Sequence, residues 1–331
     1  MNYKKHYNSL KVNFPKIDLL KESEFNLFNN PSFAKECIDY SLKLCNHSSN
    51  VLEIDLLFGV QFNQKFNASA IVKSNQCAII FNLGLIDELG IIISNSFNLF
   101  MSENIAQITI NSDQKKELKS ILIKSCINYL FYHELGHIIQ LTNIDGYKDY
   151  NFQEYYVKKD QFQIKNHIYE LDADYLGAIL TSVEIMGNII NNNYKFNPII
   201  LFNSLASVLF TIANIIIEFS GSIIKNIYYM QNSHPHPFIR ILKLNEHILG
   251  NIHTNLNLDK SFFEATLERV TKMISQIKYS DNRTIDYSNF YFKNSALIES
   301  YIDKIETEGD NYEELTRNKS QDFLNKLIRY E

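Results

Sequence analysis

Tryptophan is absent from the 331 residues, and glycine (10), proline (5) and cysteine (4) are all scarce. So little glycine and proline argues against collagenous, solenoid or all-β architectures, and it favours long helices. Cys37, Cys45, Cys77 and Cys126 form no CxxC pair and no zinc-finger spacing, so they read as reduced thiols in a cytoplasmic protein. No surplus of positive charge exists either. The 32 Lys and Arg stand against 37 Asp and Glu, a net charge of −5, which removes any global attraction to nucleic acid or an anionic membrane. The N-terminus carries basic residues but lacks the apolar stretch of a secretory signal. What is present is ordinary for a globular chain, 45% hydrophobic and 21% charged, and this excludes wholesale disorder.

The chain contains no repeats and no Pro/Ser-rich linker. Helical patterning is expected near Pro31–His47, over 83–100, from Lys115 to Leu141, from Asn166 to Ile190, near 237–249 and 259–278, and near Tyr312–Arg329. Val51–Val60 reads as a strand. Asn67–Val72 and Cys77–Asn82, around the polar turn at 73–76, read as a β-hairpin. A small β element in a helical majority makes the class α+β. Ile199 to Ile217 runs 19 residues without a charge, long enough to span a bilayer. Asn203, Ser207, Thr211 and Asn214 form a polar stripe along it, and no Lys/Arg cluster flanks it, so a buried core helix is the expectation.

The sharpest motif is His133-Glu134-Leu135-Gly136-His137, within an apolar helical run. Residues i and i+4 share one helical face, so two imidazoles can converge on one metal ion. Glu134 then stands where a carboxylate can act as general base on a metal-activated water. A catalytic zinc needs a third protein ligand, and Glu170 and Asp174 on the next long helix are again i and i+4. One of them can bind the metal while the other accepts the free ring N–H of a ligand histidine. Ala173, Gly177 and Ala178 would let the two helices approach closely.

This order of residues resembles the gluzincin clan of zinc metallopeptidases, especially the minigluzincin arrangement. Asn67–Leu89 is similar to the strand, turn, strand and helix start that precede HExxH there. Ser233-His234-Pro235 with Arg240-Ile241 resembles the Thr-His-Pro…Arg-Ile signature that follows the third ligand. The apolar helix before the His-Pro motif also resembles the Lit-type phage-exclusion proteases. The resemblance covers about 67–245. Lys73-Ser74-Asn75-Gln76 replaces a common Pro-Gly-Gly turn, and Ile239 stands where Glu is frequent.

The resemblance implies a zincin-like core over 61–250, with an N-terminal extension over 1–60 and a helical C-terminal extension over 251–331, all in one compact domain. It implies Zn2+ held by His133, His137 and Glu170, with Glu134 as base and Asp174 orienting a ligand histidine. His234 would donate to the oxyanion, and Arg240 would anchor that loop or a carboxylate near the metal. His236 reads as a helix-capping residue. Cys77–Asn82 is the expected sheet edge for pairing an extended substrate. The implied activity is a zinc endopeptidase of limited specificity acting on an intracellular protein, such as a translation factor, in phage defence. The alternatives are a non-catalytic zinc-binding regulatory protein and a membrane-embedded gluzincin with Ile199–Ile217 as its span.

Overall fold

The computed structural model describes residues 3–73, 76–102, 111–142, 150–153, 163–191, 198–220, 234–276, 287–309 and 317–328. The central element is helix α4 (Ser112–Leu141). Asn111 starts it by accepting the N–H groups of Asp113 and Gln114, while Gln114 reaches back to the Asn111 N–H. Every residue from Ser125 to Leu141 is buried. A helix apolar on all sides must be walled on all sides.

One wall is a four-stranded sheet of β1 (Asp55–Gln61), β2 (Ala68–Lys73), β3 (Gln76–Asn82) and β4 (Tyr150–Gln153), in the order β1-β3-β2-β4. β2 and β3 form the expected hairpin, Lys73 facing Gln76 across the turn, and Ser74 and Asn75 lie outside the described residues. β1 runs parallel to β3, and β4 is antiparallel to β2. Cys77–Asn82 is therefore an interior strand, not the expected edge, and its backbone groups are already used by two neighbours. The sheet is apolar on both faces. Phe58, Val60, Ala70, Ile79 and Phe81 join the main core, whereas Leu57, Ile71, Ala78 and Ile80 pack with Leu10, Phe14 and Leu19 on the other side. Leu10 belongs to α1 (Tyr3–Asn13), an element without a clear sequence pattern. Its side chain covers Gly59 so closely that an added Cβ would lie 2.5 Å from Leu10 Cδ1.

The other walls are helical: α2 (Pro31–Leu52), α3 (Leu83–Ser102), α5 (Ile164–Asn191) and α6 (Pro198–Phe219). Helices α7 (Pro237–Leu256), α8 (Lys260–Ile274), α9 (Tyr287–Gly309) and α10 (Arg317–Ile328) complete the described elements. One contiguous core runs from Tyr3 to Leu324, so both terminal regions share it with the middle of the chain. The fold is α+β and mostly helical, as the sequence implies. All four cysteines are free and buried, and burial pushes Cys37, Cys45 and Cys77 up to about 12.

Among the described residues, two helices are long and apolar enough to cross a membrane, over Leu83–Met101 and Leu201–Phe219. Of the second, 83% is buried within the protein, against 44% of the first. Helix α6 packs on α3, α4, α7 and α8. Its polar stripe finds partners within the helix and on α3: Ser207 donates to the Asn203 carbonyl (2.8 Å), Thr211 to the Ser207 carbonyl (2.7 Å), and Asn214 to Ser96 Oγ on α3 (3.1 Å). Leu209 in the same helix is wholly buried. Leu209→Arg places an unpaired charge and a larger side chain there, at a cost comparable with the roughly 5–15 kcal/mol that hold an ordinary domain together. The variant should show no cooperative thermal transition by circular dichroism. Melting within a few degrees of the parent chain would contradict the burial of α6.

Candidate metal centre

The site is built where α4 crosses α5, and two glycines set the separation of the helices. A Cβ on Gly136 would lie 2.9 Å from Ala173 Cα, and one on Gly177 would lie 3.0 Å from the Tyr129 carbonyl oxygen. Both contacts are with backbone, so neither position accommodates a side chain without moving a helix. This bears out the expectation for Ala173 and Gly177.

Close crossing brings the expected donors together. His133 Nε2 and His137 Nε2 are 3.2 Å apart, with their rings perpendicular. Glu170 reaches in from α5, Oε2 lying 3.7 Å from His133 Nε2 and Oε1 3.7 Å from His137 Nε2. These three side chains are buried, each offers a donor atom within 4.8 Å of the others', and together they could hold a metal ion. Glu134, also buried, follows His133 on the same helix.

Asp174, one turn beyond Glu170, takes the orienting position. Its Oδ1 is 3.0 Å from His133 Nδ1 and accepts from the Tyr129 hydroxyl at 2.7 Å. Arg240 on α7 binds the same carboxylate twice, Nε to Oδ2 and an Nη to Oδ1, both at 2.8 Å. Burial pushes the Asp174 carboxyl up, but the Arg240 guanidinium and then His133 outweigh it and hold it well below the usual carboxylate range. Arg240 is thereby placed as the anchor of a carboxylate, one of the two roles the sequence offered, and not as a group free to meet a substrate. Its Nη1 also lies 3.9 Å from Glu170 Oε2.

The two histidines ahead of α7 separate cleanly. His234 Nε2 lies 3.2 Å from Glu170 Oε1, and its side chain is 15% exposed. His236 is fully buried, caps α7 by accepting the Phe238 N–H, and stacks on Phe290. Ser233 lies outside the described residues. Sequence reasoning missed Tyr129 and Gln140. Both are on the HExxH helix, four residues before His133 and three after His137, so a helical wheel would have put them beside the ligands. It also missed His167, one turn before Glu170, whose Nδ1 meets the Tyr301 hydroxyl of α9 at 2.5 Å.

No protein-family model, curated protein or solved structure matches the chain.

Removing one partner of the Arg240–Asp174 pair strands a charge in the core. Arg240→Met should destabilise the protein by about 3–5 kcal/mol in urea unfolding. Adding Asp174→Asn to that variant should recover part of the loss, because no unpaired charge then remains. Additive losses in the double variant would mean that the pair is not coupled.

Proposed function

We propose that the chain is a zinc-dependent endopeptidase with a zincin-like core, of the gluzincin type. The observation that carries this reading is the convergence of His133, His137 and Glu170 beside Glu134, with Asp174 on the far nitrogen of His133. The donor set suits zinc. A tetrahedral ion with Zn–N distances of about 2.0–2.1 Å separates two ligand nitrogens by roughly 3.3 Å, close to the 3.2 Å between these imidazoles. Two imidazoles and one carboxylate leave a fourth position open, the arrangement of a catalytic rather than a structural zinc.

Bound zinc would supply Lewis acidity to the attacking water and the scissile carbonyl. Glu134 takes the proton from that water and returns it to the departing amine. His234, partly exposed beside Glu170, donates its Nε2–H to the developing oxyanion. Asp174 keeps the His133 proton on Nδ1, and Arg240 keeps Asp174 ionised and in place. Tyr129 and Gly177 fix the separation of the two ligand helices.

The substrate class rests on the Lit-type resemblance alone: an intracellular protein, such as a translation factor, cleaved during phage infection. One observation favours a second reading, a non-catalytic zinc-binding protein. His234 approaches Glu170 closely enough to act as a fourth ligand and close the site. A structural site has no use for Glu134, which is why the peptidase reading leads.

Glu134→Gln should keep its zinc but lose cleavage by roughly a hundredfold or more, read as new protein termini in cells expressing each form. His234→Ala should retain zinc and lower turnover by about tenfold to a thousandfold. His236→Ala should lower stability, with turnover per folded molecule less affected. Loss of zinc in His234→Ala together with unchanged termini in Glu134→Gln would establish the closed, non-catalytic site instead.

A further inference from the structure

Gln140 is 98% buried, and it touches both helices of the site. Its amide nitrogen donates to the Tyr169 carbonyl at 2.8 Å, and its amide oxygen lies 3.0 Å from His137 Nδ1. The orientation of this amide is not free. A backbone carbonyl has no proton to give, so the NH2 group must face Tyr169 and Oε1 must face the histidine. Oε1 can only accept, so the proton between them belongs to His137 Nδ1. His137 Nε2 is then left with its lone pair pointing into the site.

We propose that Gln140 is a positioning residue for the metal, one that fixes the tautomer of His137 and ties the second ligand to the third. Tyr169 immediately precedes Glu170, so one side chain spans from the second histidine to the backbone beside the carboxylate. Asp174 Oδ1, 3.0 Å from His133 Nδ1, favours the same tautomer there, since a carboxylate also offers no proton. Two lone pairs are thus aimed across 3.2 Å, an arrangement that a cation between them would satisfy. The two partners also agree in charge: Gln140 is neutral, and Arg240 balances Asp174. Neither adds net negative charge, so among the three ligands of a bound divalent ion only Glu170 would carry charge. The inference rests on the metal-binding reading of the site but not on peptidase activity.

The test uses the full chain with 15N-labelled histidine. In zinc-free protein, long-range 1H–15N spectra should show His137 as the Nδ1–H tautomer. Gln140→Leu should shift it to the Nε2–H form that imidazole prefers in water and lower zinc affinity about tenfold to a hundredfold in chelator competition. Gln140→Glu keeps an acceptor for Nδ1–H but loses the donor to Tyr169. It should preserve the tautomer and fall between the other two in affinity. Unchanged tautomer and affinity in Gln140→Leu would overturn the proposal, and so would loss of the tautomer in Gln140→Glu, the variant that decides if Gln140→Leu fails to fold. A parent chain that takes up no zinc would instead defeat the metal reading, while the tautomer of His137 would still judge Gln140.

Discussion

Asp174, on α5, is one carboxylate gripped from two other helices: by Tyr129 and His133 on α4 and by Arg240 on α7. An ion pair this deeply buried is poor evidence of stability, because desolvating both charges offsets most of their attraction. What it supplies is register. The guanidinium fork admits one orientation of the carboxylate, the carboxylate admits one tautomer of His133, and that tautomer aims one nitrogen at the site. Shifting α7 by a turn would break all three at once. Peripheral packing can vary, but the relative setting of α4, α5 and α7 cannot.

Most of the site is legible in the sequence because its geometry is intrahelical. His133 with His137, and Glu170 with Asp174, each need only the rise of one turn to share a face. The role of His236 is legible for a similar reason: proline after it presets a helix start, and the residue before such a start is a cap. Gln140 and Tyr129 escaped notice because polar residues in an apolar run carry no motif, although the same wheel that placed the ligands places them. Arg240 was placed correctly only as one of two options. Its choice of Asp174 depends on how α7 crosses α5, and no local pattern encodes a crossing.

The sheet shows the opposite case. Its hairpin is readable from alternation around a polar turn, but the parallel partner of β3 is not. β1 is apolar on successive residues, from Leu56 to Phe58, because both faces of the sheet are covered. That uniformity hides the register and the neighbour, and α1, which covers the second face, is too polar to announce itself. Helix α9 escaped for the same reason: its buried residues, Tyr287, Ile298, Tyr301, Ile305 and Gly309, are few among exposed ones. With β3 interior and the outer backbone of β1 already bonded to His6, Tyr3 and Leu20, the border strand left for a substrate to extend, among the described residues, is β4.

Helix α6 has a consequence for how the chain is made. The helices that wall it on one side, α3 and α4, precede it in the chain, whereas α7 and α8 follow. Fifty-five residues separate Phe219 from Ile274, the end of α8. At a synthesis rate of about 5–20 residues per second, this gap lasts roughly 3 to 11 s. During that interval a greasy segment of membrane-spanning length leaves the ribosome half covered, within reach of targeting factors and chaperones that read nascent chains. Its polar stripe lowers its appeal to a bilayer just when its permanent neighbours do not yet exist.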